Sequence, residues 1–206
     1  MVHGPKEKKE RSLGERLQLK GARCLSPKCA AVRKPYRPGA HGKGGRVKAL
    51  SDFGKQIKEK QKFKLVYGLN ENNLKRVFGE AAHKQGSTAA RLMQLLELRL
   101  DNVVFRMGFA SSRGMSRQLV RHGHMLVNKK KVTAPGYVVK VGDVIGIRPE
   151  SVAKNTFRTL KEDLMKYQAP AWLQIDPGKL EGRVLSSPES NAVPFEVNLL
   201  VESYSK

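Results

Sequence analysis

The sequence predicts an α+β protein, and three observations carry that expectation. Apolar residues recur at helical spacing from about residue 51 to residue 121, the period changes to two after Gly123, and the first 45 residues are so rich in Lys, Arg, Gly and Pro that neither period survives in them. The chain of 206 residues carries 40 Lys and Arg against 18 Asp and Glu, a formal net charge of +22. Such a field says nothing about fold but attracts polyanions: nucleic acid, an anionic membrane or an acidic protein. The excess is concentrated at the start, where residues 1–64 hold 19 Lys and Arg against 5 Asp and Glu.

The apolar fraction of 39% predicts one or two modest folded units with basic extensions rather than one large core. No window approaches 18 consecutive apolar residues and the N-terminus lacks an apolar signal segment. Neither a transmembrane helix nor secretion is expected, and the default location is the cytoplasm or an equivalent compartment. Two cysteines in such a chain do not make a disulfide framework.

The elements follow in order. Residues 1–45 include "RKPYRPGAHGKGGR", whose prolines and glycines break helices and strands alike. The stretch is too polar to bury a core of its own and reads either as a solvated tail or as an arm that orders on a polyanion. Tyr36 and His41, interleaved with Arg33 and Arg37, favour the arm. A helix is predicted from 51 to 67, capped by Ser51, with a loose apolar face of Phe53, Ile57, Phe63, Val66 and Tyr67. Its other face carries Lys55, Lys58, Lys60, Lys62 and Lys64, with Glu59 as the one local balance.

A second helix is predicted over 70–83, where Leu74, Val77, Phe78 and Ala81 stand at i, i+3, i+4 and i+7. A third runs from a Ser87 cap to Gly108, with a break near Leu100–Asn102. A fourth lies between Ser111 or Ser112 and Gly123. Short strands are then predicted in "HMLVNKKKV" and "GYVVKVGDVIGI", with a turn at Gly142-Asp143. A polar helix follows over 150–168, and strands in "AWLQID" and "GRVLS" flank Pro177-Gly178. The last segment reads as a helix on Val197, Leu200, Val201 and Tyr204.

The chemistry concentrates in one stretch. Between Asp101 and Asp143 there is no Asp or Glu, while Arg106, Arg113, Arg117, Arg121, Lys129, Lys130, Lys131 and Lys140 all fall there. Arg113, Arg117 and Arg121 recur every four residues, largely opposite Met115, Leu119 and Val120, with no glutamate at i±4 to pair them. Spaced guanidiniums suit phosphates, because each offers a rigid fork of donors. Gln118, His122, His124 and Asn128 add groups that hydrogen-bond bases or 2′-hydroxyls. Helix then hairpin also fits a winged-helix DNA reader, and composition does not separate the two. The histidine pair has no nearby acid or thiol to make it a metal or catalytic site. Cys24 and Cys29 are half of a zinc set at most. No Walker loop, G-x-S-x-G or H-E-x-x-H occurs, so neither catalysis nor a cofactor is expected.

At this point the residues match a known pattern. "LELRLDNVVFRMGFASSRGMSRQLVRHGHMLVNKKKV" resembles the core of the bacterial-type small-subunit ribosomal protein four family, and "YRPGAHG", "LSDFGKQIKEKQKFKLVYG", "WLQID" and "ESYSK" resemble its other segments in the same order. The resemblance implies a helical domain formed by 48–95 with 194–206. An RNA-binding module of helix plus β-hairpin would be inserted as 96–193, with its core at 97–150, and 1–47 would form a basic, irregular extension. It implies a non-enzymatic primary binder of small-subunit rRNA at a multi-helix junction of the 5′ domain, acting early in assembly and affecting decoding accuracy. The implied neighbours are ribosomal protein five and mRNA near its entry channel, and some members repress their own mRNA. The implied location is the small ribosomal subunit in the cytoplasm, with organellar matrix or stroma as alternatives.

Carried over by position, the resemblance implies RNA contact at Arg106, Ser112, Arg113, Arg117, Gln118, Arg121, His122, His124 and Asn128, to which the charge pattern adds Lys129, Lys130, Lys55, Lys58, Lys62, Arg33, Arg37 and His41. Two departures stand out. The family's usual Asn-Gly hairpin tip is Asn128-Lys129 here, which leaves the turn type and the aim of the lysines open. A four-cysteine zinc knuckle of some members keeps its second pair as Cys24 and Cys29, but its first pair falls at about Glu7 and Glu10, so no zinc is expected.

Overall fold

A computed structural model describes residues 4–44, 49–83, 86–188 and 195–205. In chain order its elements are α1 (Lys6–Leu13), α2 (Ala22–Leu25), α3 (Ala30–Arg33), α4 (Asp52–Val66), α5 (Glu71–Ala82), α6 (Thr88–Glu97), α7 (Leu100–Arg106), α8 (Arg113–Arg121), β1 (Met125–Val127), β2 (Lys130–Lys131), β3 (Val144–Ile147), α9 (Pro149–Val152), a 3-10 turn (Asn155–Phe157), α10 (Leu160–Met165), β4 (Leu173–Asp176), β5 (Glu181–Val184) and α11 (Val197–Ser205). The α+β class expected from the changing period is the class observed. The chain forms two compact units, Met1–Leu92 with Val193–Lys206, and Met93–Ala192. The expected boundaries at 47/48 and 193/194 lie outside the described residues. No described helix is long and apolar enough to cross a membrane.

In the first unit, local capping sets the helix starts. The Ser51 hydroxyl accepts from the Gly54 amide at 3.2 Å, and Asn70 Oδ1 from the Asn73 amide at 2.8 Å. α4 buries Phe63 and Val66, with Tyr67 just beyond it, while Phe53 stays 70% exposed, so the expected apolar face is real only in its second half. α5 buries Leu74, Val77 and Ala81. α11 packs on α4 and α5, with Leu200 fully buried and Tyr204 stacked on Phe78 at 5.0 Å between ring centres.

Glu71 pins that packing, accepting hydrogen bonds from the Tyr204 hydroxyl at 2.8 Å and Lys64 at 3.0 Å and pairing with Lys60 at 2.5 Å. Partial burial pushes its carboxyl up, but the hydrogen bonds from Lys60, Tyr204 and Lys64 outweigh that and hold it at about 2. A depressed carboxylate stabilises the fold above its ordinary value near 4.5 and stops doing so as the pH falls through its folded value. Acidification from pH 5 to 2 should therefore loosen α11. The Tyr204 ring resonances should lose their packed shifts over that window, and Glu71→Gln should reproduce the loss at neutral pH. A Tyr204 that keeps its packed shifts in the variant would sink this assignment.

Residues 4–44 are more structured than their polarity predicts. Cys24 and Cys29 are buried, and so are Glu7 and Glu10. Glu7 takes hydrogen bonds from Arg23 Nε at 2.9 Å and the Ala30 amide at 3.3 Å, with Lys20 at 3.5 Å, and Glu10 accepts from the Leu19 amide at 2.9 Å. The Arg23 hydrogen bond, opposed by burial, lowers the Glu7 carboxyl. Hydropathy misses this arrangement because the buried groups are carboxylates and thiols, held by polar partners rather than by an aliphatic core.

The second unit is a five-stranded antiparallel sheet, ordered β2-β1-β3-β5-β4, with helices packed against it. Its core joins Leu100, Val103, Val104 and Met107 of the α7 region and Leu119 and Val120 of α8 to Met125, Ile145, Leu173 and Val184 of the sheet. Three local expectations change. The break in the third predicted helix falls at Leu98-Arg99, not at 100–102, because Arg99 turns extended and pairs with Val138. That pairing uses up the stretch predicted as a strand before Gly142: Leu100 and Asp101 donate to the Tyr137 and Pro135 carbonyls, and Val138 and Val141 are exposed. The helix predicted over 150–168 is divided into α9, the 3-10 turn and α10.

Candidate nucleic-acid interface

α8 is built as its sequence predicts. The Ser112 hydroxyl caps it by accepting from the Met115 amide at 3.3 Å, which also commits that oxygen internally. Leu119 and Val120 are buried, Met115 is half-buried, and the arginines take the other side. Gly123 ends the helix at φ +74°, a conformation that disfavours other residues.

The arginine stripe is not uniform. Glu97 is 1% exposed and accepts from Asn102 Nδ2 at 2.9 Å and from Arg106 Nε at 2.9 Å and Nη2 at 3.1 Å, with Arg113 Nη2 at 3.9 Å. Arg113 donates Nε to Asn102 Oδ1 at 2.7 Å and lies over the Phe105 ring at 4.6 Å. Buried Asp101 pairs with Arg99 at 3.3 Å and with Arg117 Nη1 at 3.4 Å. The expectation of cations without internal counter-charges is thus corrected for Arg106, Arg113 and Arg117. Both carboxylates lie at or just outside the edge of the acid-free interval; the bend between α6 and α7 brings Glu97, and the packing of α7 on α8 brings Asp101, to the stripe. Burial raises the Asp101 carboxyl despite Arg99 and Arg117, so desolvation outweighs the attraction of both guanidiniums.

Other cations remain outward. Gln118, Arg121 and His122 are exposed, as are Lys129, Lys130 and Lys131 at the hairpin. Among the described residues no carboxylate forms an ion pair with Arg121, Lys129 or Lys130. Asn128 and Lys129 take φ of +50° and +66°, so the tip keeps the left-handed backbone that Asn-Gly would supply. The Asn128 amide group is engaged within the fold, donating to Asp143 Oδ1 at 2.8 Å and accepting from the Val144 amide at 2.9 Å. That bracket aims Lys129 and Lys130 outward. His124 is half-buried, with Nδ1 2.9 Å from Ser151 Oγ.

In the first unit the lysine face of α4 is balanced by acids both on the helix and distant in sequence. Lys55 pairs with Asp52 at 2.9 Å, Lys58 with Glu15 at 2.7 Å, and buried Lys62 with both Glu59 and Glu15. The expectation that Glu59 alone balances these lysines is corrected by Glu15 and Glu71. Arg33, Arg37 and His41 are exposed. Arg37 and His41 border a cleft of about 860 Å³ that Arg11, Arg16, Tyr36 and Lys43 also line. Arg11 lies over the Tyr36 ring at 5.0 Å and donates Nε to the Lys34 carbonyl at 2.7 Å. Arg11, Arg16 and Lys43 were not singled out from sequence; only the folding of 35–43 back over α1 brings them to this cleft.

The knuckle positions do not suit zinc. The Glu7 carboxylate is already met by Arg23 and Lys20, cations that repel a dication. Among the described residues no group of three or more His, Cys, Asp or Glu is arranged to hold a metal ion. Burial raises the Cys24 thiol, away from the thiolate that zinc requires.

Two family descriptions match adjoining parts of this chain: the Ribosomal protein S4/S9 N-terminal domain over residues 1–97 and the S4 domain over 98–145. The small ribosomal subunit protein uS4 of Syntrophomonas wolfei subsp. wolfei is 47% identical over 195 residues, 94% of this chain and 93% of the relative. That of Acetivibrio thermocellus matches at 47% over the same shares, and that of Caldicellulosiruptor bescii at 46% over 98% of each chain.

Proposed function

This chain belongs to the small ribosomal subunit protein uS4 family, and from that premise we propose that it is a primary binder of small-subunit rRNA, recognising a multi-helix junction of the 5′ domain and nucleating assembly there. Its coarse role is structural rather than enzymatic, as a component of the small ribosomal subunit. The observation that carries the finer reading is the outward set Arg121, Lys129 and Lys130, exposed on one helix end and the adjoining hairpin and lacking ion-paired carboxylates among the described residues. Cations arranged so cost the isolated protein self-repulsion, which a phosphate backbone relieves while releasing its counterions.

In this reading Gln118 and His122 contact RNA beside them. Arg106, Arg113 and Arg117, held in place by Glu97, Asn102 and Asp101, are partly exposed and contribute beside them. Arg33, Arg37 and His41 act from the arm, and Lys55 and Lys58 contribute at the edge of α4. Lys62 and Asn128 serve by holding neighbours in place. The same reading treats 1–47 as an arm, 48–95 with 194–206 as the helical domain and 96–193 as the insert. The two compact units support the insert. The same proposal takes in contact with ribosomal protein five, a place near the mRNA entry channel, an effect on decoding accuracy and a cytoplasmic ribosomal location.

Footprinting on a naked 5′-domain transcript tests the core of this. The purified chain should protect one junction and should bind it at least a hundredfold tighter than duplex DNA or an unrelated folded RNA at the same salt. Equal affinity for all three would reduce the interface to a non-specific polyanion surface.

A further inference from the structure

The turn that follows α8 gathers charge that neither the arginine stripe nor the hairpin tip accounts for. The His122 and His124 rings lie 6.2 Å apart and nearly parallel, at 14°. Between them sits Gly123, and Lys131 occupies the space a side chain would fill there: a Cβ on Gly123 would meet Lys131 Cε at 2.3 Å and Nζ at 3.1 Å. The Arg148 amide donates to the His124 carbonyl at 2.9 Å, while Ser151 Oγ meets His124 Nδ1 at 2.9 Å and Phe157 stands edge-on to the ring at 6.0 Å. Among the described residues the second ring nitrogen, Nε2, has no hydrogen-bond partner. Lys154, Arg148 and Lys131 act on the His124 ring as cations, with His122 as a further basic group beside it. Glu150, the acid of the same α9 segment, is turned to Arg148 at 2.5 Å.

We propose that His122, His124, Lys131, Arg148 and Lys154 form a binding site for one RNA backbone phosphate, and that binding there is coupled to uptake of a proton by His124. Arg148 and Lys154 lie outside the acid-free interval and extend the interface beyond helix and hairpin. The proposal rests on the rRNA reading for the source of the phosphate. In the free protein, burial and the surrounding cations hold His124 below its ordinary value, so its ring is neutral near pH 7. A phosphate cancels that positive field. The imidazole then gains a proton from solvent, and the imidazolium donates one N–H to Ser151 and the other to the phosphate oxygen. Because the bound state holds more protons than the free one, affinity rises as pH falls, by about tenfold for each unit the His124 midpoint is raised.

The test has two arms. In the first, the His124 ring of the full chain is titrated by NMR while chloride is exchanged for sulfate at constant ionic strength. Sulfate is divalent throughout the range, so any change in midpoint belongs to the protein. The midpoint should move up in sulfate, and Lys154→Gln, a change at an exposed side chain, should raise it in chloride and blunt the sulfate response. In the second arm, affinity for the 5′-domain transcript is compared at pH 7.5 and 5.5. The wild type should gain several-fold more than His124→Asn, the difference isolating this ring from the other four histidines. A midpoint indifferent to sulfate, or equal pH dependence in wild type and variant with a transcript that binds tightly, overturns the proposal. A transcript that fails to bind at all strikes the rRNA reading instead, and the sulfate arm still decides whether the site exists.

Discussion

Replacing Glu97 with alanine should destabilise the Met93–Ala192 unit by about 3–5 kcal/mol, the cost of removing one partner from a buried charge network. Its carboxylate is 1% exposed and satisfies Asn102 and two donors of Arg106, with Arg113 beside it. Alanine leaves a cavity and a set of guanidinium donors facing it without their acceptor. Such buried charge networks are often no net source of stability, because desolvation offsets the attraction; at neighbouring Asp101 burial raises the carboxyl despite Arg99 and Arg117. What is costly is breaking it from one side. Trp172 is the single tryptophan and lies in the core of this unit, so its fluorescence during thermal or urea unfolding follows this unit alone. At roughly 4–8 °C per kcal/mol for a unit of this size, the melting temperature should fall by well over 10 °C. A shift below about 1 kcal/mol would mean that water replaces the carboxylate without penalty, contrary to its burial.

The opposite pattern is expected at the surface. Arg121→Gln, Lys129→Gln and Lys130→Gln combined should lower the Trp172 melt by no more than about 1 kcal/mol, because exposed changes usually cost about 0.5 kcal/mol or less and Arg121 adds only a helix-dipole contribution at the end of α8. Affinity for the 5′-domain transcript should nevertheless drop by on the order of a hundredfold at moderate salt, and the slope of log affinity against log salt should shrink by roughly 2 to 3, at about 0.7–0.9 for each phosphate no longer neutralised. Lys129 needs one control, since its φ of +66° is already strained and glutamine must adopt it too. The single Lys129→Gln variant measures that cost. If the triple variant keeps both wild-type affinity and slope, these three cations do not face RNA and the interface lies elsewhere.

Helices were legible in the sequence where the signal is local. Ser51, Asn70 and Ser112 cap helices through hydroxyl or amide oxygens three residues from their targets, and the 3.6-residue spacing of Leu74, Val77 and Ala81 corresponds to buried positions. The hairpin tip was half-legible. Its place was clear, but whether Asn128-Lys129 could hold the left-handed backbone depended on the bracket that Asn128 makes to Asp143 and Val144, fifteen and sixteen residues away. Residues 137–141 carry strand-like Val138 and Val141, but the segment pairs with the extended Leu98–Leu100 backbone, about forty residues upstream and invisible to local pattern. The cations were least legible. Lys62 and Lys55 look alike along the chain, yet one is buried between two glutamates and the other is exposed beside Asp52.

By itself, then, the sequence determined the α+β class, the helix starts, the excess of positive charge and the family, all of which depend on residue type and on spacing within a few positions. The tertiary structure alone decided which cations are spoken for. Coulomb energy depends on distance and burial rather than on separation along the chain, so the acid-free interval met its carboxylates through the bend after α6 and the packing of α7 on α8, and the cationic turn around His124 took two of its members from beyond β3.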